Sequence, residues 1–223
     1  MDTSRYTMER KKPYSNERWP YSNLCGRSIS LKILLAGDSF AAKWPEKNGW
    51  PELLASKHTV TNIAQAGVSE YKILKQIETS TLDYFDYVIV SHTSPSRVHT
   101  REHPIHKQGL HKDCDLIYTD IADRSSWFNP SLRSAQDYFK YHYDDEYQID
   151  MYQLMRKEIK KLLTSRKYLS ITHSRISTKY AVEHNNISFS TVWEQHRGNI
   201  NHYTEKGNLI VYKDILDIVD KQC

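Results

Sequence analysis

Between residues 31 and 91 the chain alternates short runs with strand character and segments whose apolar residues recur every three or four positions. The short runs predict strands at residues 31–36, 58–64 and 86–91, the first and third of them buried. The recurring pattern predicts helices at residues 50–57 and 69–80, the second with Ser69 as its N-cap. Strands that alternate with helices predict a parallel sheet with helices on both faces.

The same alternation returns in the second half of the chain, after an irregular stretch at residues 92–130. That stretch is polar, rich in histidine and interrupted by three prolines, so we expect a functional loop or lid inserted into the domain. A long helix is predicted at 146–166, and we interpret its basic face, which includes Arg156, as solvated in preference to binding nucleic acid. Strands at 168–172 and 187–189 and a last helix at 204–220 complete a sheet of about five strands.

The composition is typical of one globular domain. A chain of 223 residues with 39% apolar residues can bury a sizeable core, and it is neither collagen-like nor low in complexity nor fully disordered. The net charge of +4 is spread along the chain and does not by itself indicate a nucleic-acid partner. Residues 1–30 are basic and aromatic without a period, and we interpret them as an arm that precedes one domain at 31–223.

The first 30 residues contain no apolar segment of the kind that a secretory signal needs, and no run approaches the ~18 apolar residues of a membrane span. We therefore expect a cytoplasmic protein. The three cysteines, Cys25, Cys114 and Cys223, are far apart and form no CxxC pair. This spacing argues against a disulfide framework and against a thiolate zinc cluster.

Three segments place reactive or hydrogen-bonding groups at the ends of predicted elements. The sequence Gly-Asp-Ser at residues 37–39 follows the first strand, at the edge where parallel sheets bind ligands. Gly67 follows the second strand, where a glycine lets the backbone approach a ligand closely. His202 precedes the last helix, with Thr204 as the expected N-cap, and is placed to act as general base for a serine.

Together these segments resemble the motifs of the SGNH/GDSL hydrolase family, in their order and spacing, from about residue 31 to 220. The resemblance implies a three-layer α/β/α sandwich with a parallel, flavodoxin-like central sheet. It implies that Ser39 is the nucleophile and His202 the base, and that the backbone N–H groups of Ser39 and Gly67 donate to the oxyanion. It also implies an ester substrate, such as an acetylated carbohydrate or a small ester.

Two positions depart from the family pattern. Thr93 stands where the family has an oxyanion-binding asparagine, and loss of an oxyanion donor costs ~10²–10³ in rate. Asn199 stands where an aspartate orients the histidine, and the same change in a serine-protease triad costs ~10⁴. The sequence leaves open whether Asn199, Glu194 or a backbone carbonyl orients His202. Asp38, beside the nucleophile, is a further orienting or oxyanion candidate.

The inserted loop begins with two candidate substrate contacts, His92 and Arg97, and Arg97 can bind an anionic group of a substrate. A cluster of possible metal ligands follows, at His99, His103, His106, His111, Asp113, Cys114 and Asp115. Such spacings can ligate zinc when a loop folds over itself, but no predicted helix places two of the histidines on one face. We favour a polar lid over the serine and predict neither a metal ion nor another cofactor.

The leading hypothesis is an SGNH-like serine esterase or acyl-transfer enzyme whose substrate is a small ester or an acylated carbohydrate. The alternative, favoured by the changes at Thr93 and Asn199, is a binding or structural protein that keeps the fold without efficient catalysis and is encoded by a phage or virus. A weaker third hypothesis is nucleic-acid binding through residues 1–30 and 156–167, a partner that we do not expect. The sequence carries no signal of oligomeric state.

Overall fold

The computed structural model describes residues 30–43, 49–198 and 202–222, so the predicted arm lies outside the described residues apart from Ser30. Five strands form one sheet: β1 (Lys32–Gly37), β2 (Thr59–Asn62), β3 (Tyr87–His92), β4 (Tyr168–Thr172) and β5 (Asn186–Ser188). The predicted strands are confirmed, with bounds that agree to within two residues.

The strands lie in the order β2-β1-β3-β4-β5, and every pair is parallel. This is a doubly wound order, in which the winding direction of the chain reverses between β1 and β3. β1 and β3 are buried on both faces, apart from Lys32 at the start of β1, and their central residues form continuous apolar runs rather than an alternating pattern. A ligand of such a sheet binds beyond the carboxyl ends of the strands at this reversal.

Helices cover both faces of the sheet. One face packs against α1 (Trp50–Ala55), α7 (Ser190–Gln195) and α8 (Glu205–Lys221), and the other against α2 (Glu70–Glu78) and α5 (Asp145–Leu163). The fold is therefore the predicted three-layer α/β/α sandwich. Within the described ranges, no helix combines the length and the apolar character that crossing a membrane requires.

The starts of α8 and α5 are capped by a side chain, whereas the start of α2 is not. The Thr204 side chain accepts a hydrogen bond from the Gly207 N–H and caps α8, as predicted, and Asp144 caps α5 in the same way. Ser69 occupies the N-cap position of α2, but its side chain makes no capping bond. Instead, its backbone N–H donates to buried Asp115 at 2.7 Å, which ties the inserted loop to this helix.

The helix α4 (Pro130–Tyr141) was not predicted. Its start signal is present in the sequence as an asparagine followed by a proline. In the structure the Asn129 side chain accepts from the Leu132 N–H, and Pro130 occupies the first turn. The sequence-based interpretation takes Pro130 only as the end of the irregular loop. Three short helices, α3 (Tyr118–Ile121), α6 (Arg175–Lys179) and α7, were also not predicted, and their four to six residues show too little periodicity to be recognised.

The inserted stretch between β3 and α4 is irregular, as predicted, but it is packed. Val98 pairs with Leu116 in an isolated antiparallel bridge. Leu116 then joins Ile121 and two residues of α4, Leu132 and Ala135, in a small core of its own. The stretch therefore has apolar support, which holds its polar side chains in defined positions.

Candidate functional site

A cavity of about 540 Å³ lies beyond the carboxyl ends of β1, β3 and β4. Its lining brings together Ser39, Gly67, Thr93 and His202 from four separate segments of the chain, along with Arg97. This edge is where doubly wound sheets bind their ligands. The residues that the sequence singled out as nucleophile, base and oxyanion donors thus share one cavity.

Ser39 lies on the turn that follows β1. Gly37, with φ of +150°, passes Ser91 so closely that a Cβ would lie 2.5 Å from both the Ser91 Cβ and its carbonyl oxygen. Asp38 Oδ1 accepts hydrogen bonds from the Phe40 N–H and the Ser91 hydroxyl, each at 3.1 Å. Burial raises the pKa of Asp38 to about 6. Asp38 therefore holds the serine turn against β3.

His202 lies beside this turn, on the segment that precedes α8. A hydrogen bond joins it to the backbone of Ser39, and its ring lies 5.3 Å from the ring of Phe40, measured between centroids. Burial lowers the pKa of His202 to about 4, and the charges of His111 and Arg97 act in the same direction. The imidazole is consequently neutral at pH 7, which is the state a general base needs.

Gly67 and Thr93 provide hydrogen-bonding groups to the same cavity. Gly67 has φ of +75°, a conformation that favours glycine, and a Cβ there would lie 2.7 Å from the Cβ of Cys114. Arg97 Nη1 donates to the Gly67 carbonyl at 3.1 Å and fixes that turn. The Thr93 hydroxyl is buried and finds no hydrogen-bond partner among the described residues. Buried unpaired hydroxyls are rare, so this one is available to a ligand.

His92 lines the cavity as the last residue of β3 rather than as part of the loop. Its Nδ1 lies 2.5 Å from Glu70 Oε1, and its Nε2 lies 3.1 Å from the Ser170 hydroxyl. Burial lowers the pKa of His92 well below its usual value and raises that of Glu70 to about 8. At neutral pH the pair is therefore uncharged, with the proton on the Glu70 carboxyl. Glu70 shares the apolar face of α2, which is the signal that could have revealed it.

Arg156 is fully buried, so the prediction that it lies on a solvated face of α5 is wrong. It pairs with Glu183, whose side chain is equally buried, and it also donates to the Tyr152 hydroxyl at 2.9 Å. The charge of Glu183 allows a guanidinium to be buried here. The spacing of Arg156, four residues after Tyr152 and three before Ile159, places it on the apolar stripe of the helix, and this signal was overlooked.

His173 lines the cavity and was missed by the sequence analysis. Its Nε2 lies 2.9 Å from the Ser91 hydroxyl, and its Nδ1 lies 2.6 Å from the Tyr203 hydroxyl. Its ring stacks on Phe40 at 4.3 Å between centroids. It directly follows β4, so the rule that singled out Ser39 applies to His173 as well.

The group that orients His202 stays a prediction. Asn199, which stands at the position of the orienting aspartate, lies outside the described residues. Glu194, the other side chain considered, pairs with Arg175, whose Nε lies 2.6 Å from Glu194 Oε1. Glu194 is therefore engaged elsewhere.

Some of the histidines of the inserted loop lie together in the structure, and His99 lies apart from them. His103, His106 and Cys114 converge, so that one ligand atom from each lies within 4.8 Å of the others. His111 is next to His106, with 5.5 Å between ring centroids, whereas His99 is not part of this group. The side chains of His106, His111 and Cys114 line the cavity that contains Ser39.

Comparisons of the chain with protein-family models and with curated proteins identify no relative. A scan against protein-family models finds no match to the chain, and a search of curated proteins finds no significant match. The chain's own motifs and the arrangement of the cavity are therefore what point to its function.

Proposed function

We propose that this protein is a serine esterase or acyl-transfer enzyme of the SGNH type. The observation that carries the proposal is the cavity shared by Ser39, Gly67, Thr93 and His202, four groups that the sequence pattern nominated separately. The unpaired hydroxyl of Thr93 supports it further, because a buried donor without a partner suits a site where negative charge develops.

In the proposed reaction, the Ser39 hydroxyl attacks the carbonyl carbon of an ester and its proton moves to His202. The tetrahedral oxyanion accepts hydrogen bonds from the backbone N–H groups of Ser39 and Gly67 and from the Thr93 hydroxyl. The carbon–oxygen bond to the alcohol breaks, and His202 returns the proton to the leaving alcohol. Water or another hydroxyl then takes the acyl group from Ser39 by the same steps in reverse.

Arg97 supports a substrate that carries an anionic group near the ester. Its Nη1 is held by the Gly67 carbonyl, which places the guanidinium in the cavity wall beside the oxyanion donors. A guanidinium fixed in this way recognises carboxylate or phosphate well. Small esters with a negative charge are therefore the class to test first, beside acetylated carbohydrates.

The test is covalent labelling with a fluorophosphonate probe and hydrolysis of p-nitrophenyl acetate by the full chain. We expect the intact protein to be labelled by the probe and to hydrolyse p-nitrophenyl acetate. Ser39→Ala and His202→Ala should lose both the labelling and the hydrolysis. Thr93→Val should lower kcat by about 10²–10³-fold with little change in KM, because its hydroxyl acts only on the transition state.

The matched control is Ser94→Ala, since Ser94 lines the same cavity and, among the described residues, its hydroxyl bonds only to the Ser96 N–H of its own turn. It should retain labelling and turnover. Equal residual rates in the intact protein and in Ser39→Ala would refute the proposed enzyme and favour the binding-protein alternative.

A further inference from the structure

The convergence of His103, His106 and Cys114 is a feature that the proposed hydrolysis does not use. These three side chains come from one loop, and one ligand atom from each lies within 4.8 Å of the others. Three ligands around a single zinc ion, at Zn–N of ~2.0 Å and Zn–S of ~2.3 Å, lie within such a distance of one another. The spacing of the side chains therefore fits one ion.

His103 supplies a second, independent observation. Its side chain is completely buried, and its Nε2 has no hydrogen-bond partner within the part of the chain that the structure describes. The ring is 4.7 Å from that of His106, measured between centroids, so the unpaired nitrogen lies within the cluster. Buried polar atoms almost always have a partner, and an unpaired imidazole nitrogen among a second imidazole and a thiol indicates an absent ligand.

Asp120 completes the surroundings with a carboxylate. Its Oδ2 lies 2.7 Å from His106 Nε2 and 3.6 Å from His103 Nε2. A carboxylate in this place either joins the ligands or holds a ligating histidine from behind. Asp115, a buried carboxylate of the same loop, does not compete for this role, because it is engaged with Ser69, Lys72 and Thr100.

From these contacts we infer that His103, His106 and Cys114, assisted by Asp120, bind one zinc-class metal ion in the wall of the cavity. Imidazole and thiolate donors select zinc over magnesium or calcium, which prefer oxygen. His106 and Cys114 face the same cavity as Ser39, so the ion would hold the inserted loop beside the substrate. This replaces our sequence-based prediction of no metal, which lacked any evidence that the loop folds over its histidines.

Binding requires a local change at His103. Its Nδ1 accepts from the backbone N–H groups of Ile105 and His106, both at 3.2 Å, which places the ring proton on Nε2. Coordination through Nε2 moves that proton to Nδ1, so the two N–H groups must turn to other acceptors. Residues 103–106 therefore adjust when the metal binds, and their amide resonances should shift.

The test uses the full, untagged chain, treated with a chelator and then titrated with Zn²⁺ or Co²⁺. We expect one metal ion per chain by mass spectrometry of the metal content, and a thiolate-to-cobalt charge-transfer band with Co²⁺. His103→Asn, His106→Asn and Cys114→Ser should each weaken zinc binding by more than about 100-fold, since loss of a supporting group alone costs ~10–100-fold. Asp120→Asn should weaken zinc binding by the smaller factor, ~10–100-fold.

Two controls separate this proposal from others. His142→Asn removes an exposed histidine at the end of α4 and should leave the affinity unchanged. Ser39→Ala should bind zinc like the intact protein, so the metal site can be confirmed even where the hydrolase proposal fails. Absence of the thiolate band in the intact protein, or a zinc affinity of Cys114→Ser and His103→Asn equal to that of the intact protein, would overturn the inference.

Discussion

At the scale of single residues, burial sets the protonation of the side chains around the cavity. It is the largest influence on the carboxyl groups of Asp38 and Glu70, whose pKa values rise to about 6 and about 8. It is equally the largest influence on His173 and His202, whose pKa values fall to about 3 and about 4. Each shift favours the uncharged form, so the cavity is suited to hydrogen bonding more than to holding charge.

The proposed role of His202 as general base predicts how activity depends on pH. A general base must be unprotonated, and because the pKa of His202 is lowered to about 4, the base is competent throughout the neutral range. We expect kcat/KM to stay level as the pH falls from 8 towards 5 and to be halved near pH 4. A midpoint close to the ordinary value of about 6.5 would contradict the buried position of the imidazole.

Charge near His202 tests the same assignment. Arg97→Gln removes a cation that lowers the pKa of His202, so the acid midpoint of kcat/KM should move to higher pH. The matched variant Arg101→Gln, on the exposed part of the same loop, should leave the midpoint in place.

At the scale of elements, the junction of β1 and β3 positions the serine turn. Gly37 is paired with Ser91 in the register of these strands, and the space that a Cβ would need at Gly37 is filled by Ser91. The motif glycine therefore has a packing reason independent of any catalysis. Ser91 in turn donates to Asp38 and contacts His173.

Gly37→Ala should destabilise the fold by about 3 kcal/mol or more, because a methyl group would overlap with the backbone of β3 and strain the positive φ. The measurement is urea unfolding followed by circular dichroism. Gly109→Ala is the control, since it also has positive φ but no atom lies within 4 Å of the added Cβ, so only ~1–2 kcal/mol is expected. Equal losses in the two variants would show that packing against Ser91 is unimportant.

At the scale of the whole molecule, the buried pair of Arg156 and Glu183 joins separate layers. Arg156 belongs to α5 and also donates to the Ser177 carbonyl at 3.3 Å and to Asn186 Oδ1 at 3.1 Å. Glu183 in turn lies 3.7 Å from His92 Nε2. The pair therefore links a helix on one face of the sheet to α6, β5 and the end of β3.

Glu183→Ala should destabilise the protein by about 3–5 kcal/mol, because it leaves a buried guanidinium without its counter-charge. Chemical denaturation measures this loss. Glu158 and Lys161 form an exposed pair on α5, the helix that carries Arg156. Glu158→Ala breaks this pair and should leave the free energy of unfolding nearly unchanged. The double change Arg156→Met with Glu183→Leu should recover much of the stability. A loss for Glu183→Ala no greater than that for Glu158→Ala would refute the structural role of the pair.

The sequence by itself determined the order and type of the main elements, because buried parallel strands and amphipathic helices leave periodic signals that are local in the chain. It also nominated Ser39, Gly67 and His202, since strand ends and caps are local features, whereas Thr93 was nominated by the family resemblance. Elements without a full period, such as α6, left no comparable signal.

Only the tertiary structure decided which polar groups meet. Arg156 is solvated or buried according to whether Glu183, 27 residues later, reaches it. His103, His106 and Cys114 became a candidate metal site because the loop folds back on itself through the bridge of Val98 with Leu116. Contacts of this kind depend on how the chain folds back on itself, which no local pattern of apolar and polar residues encodes.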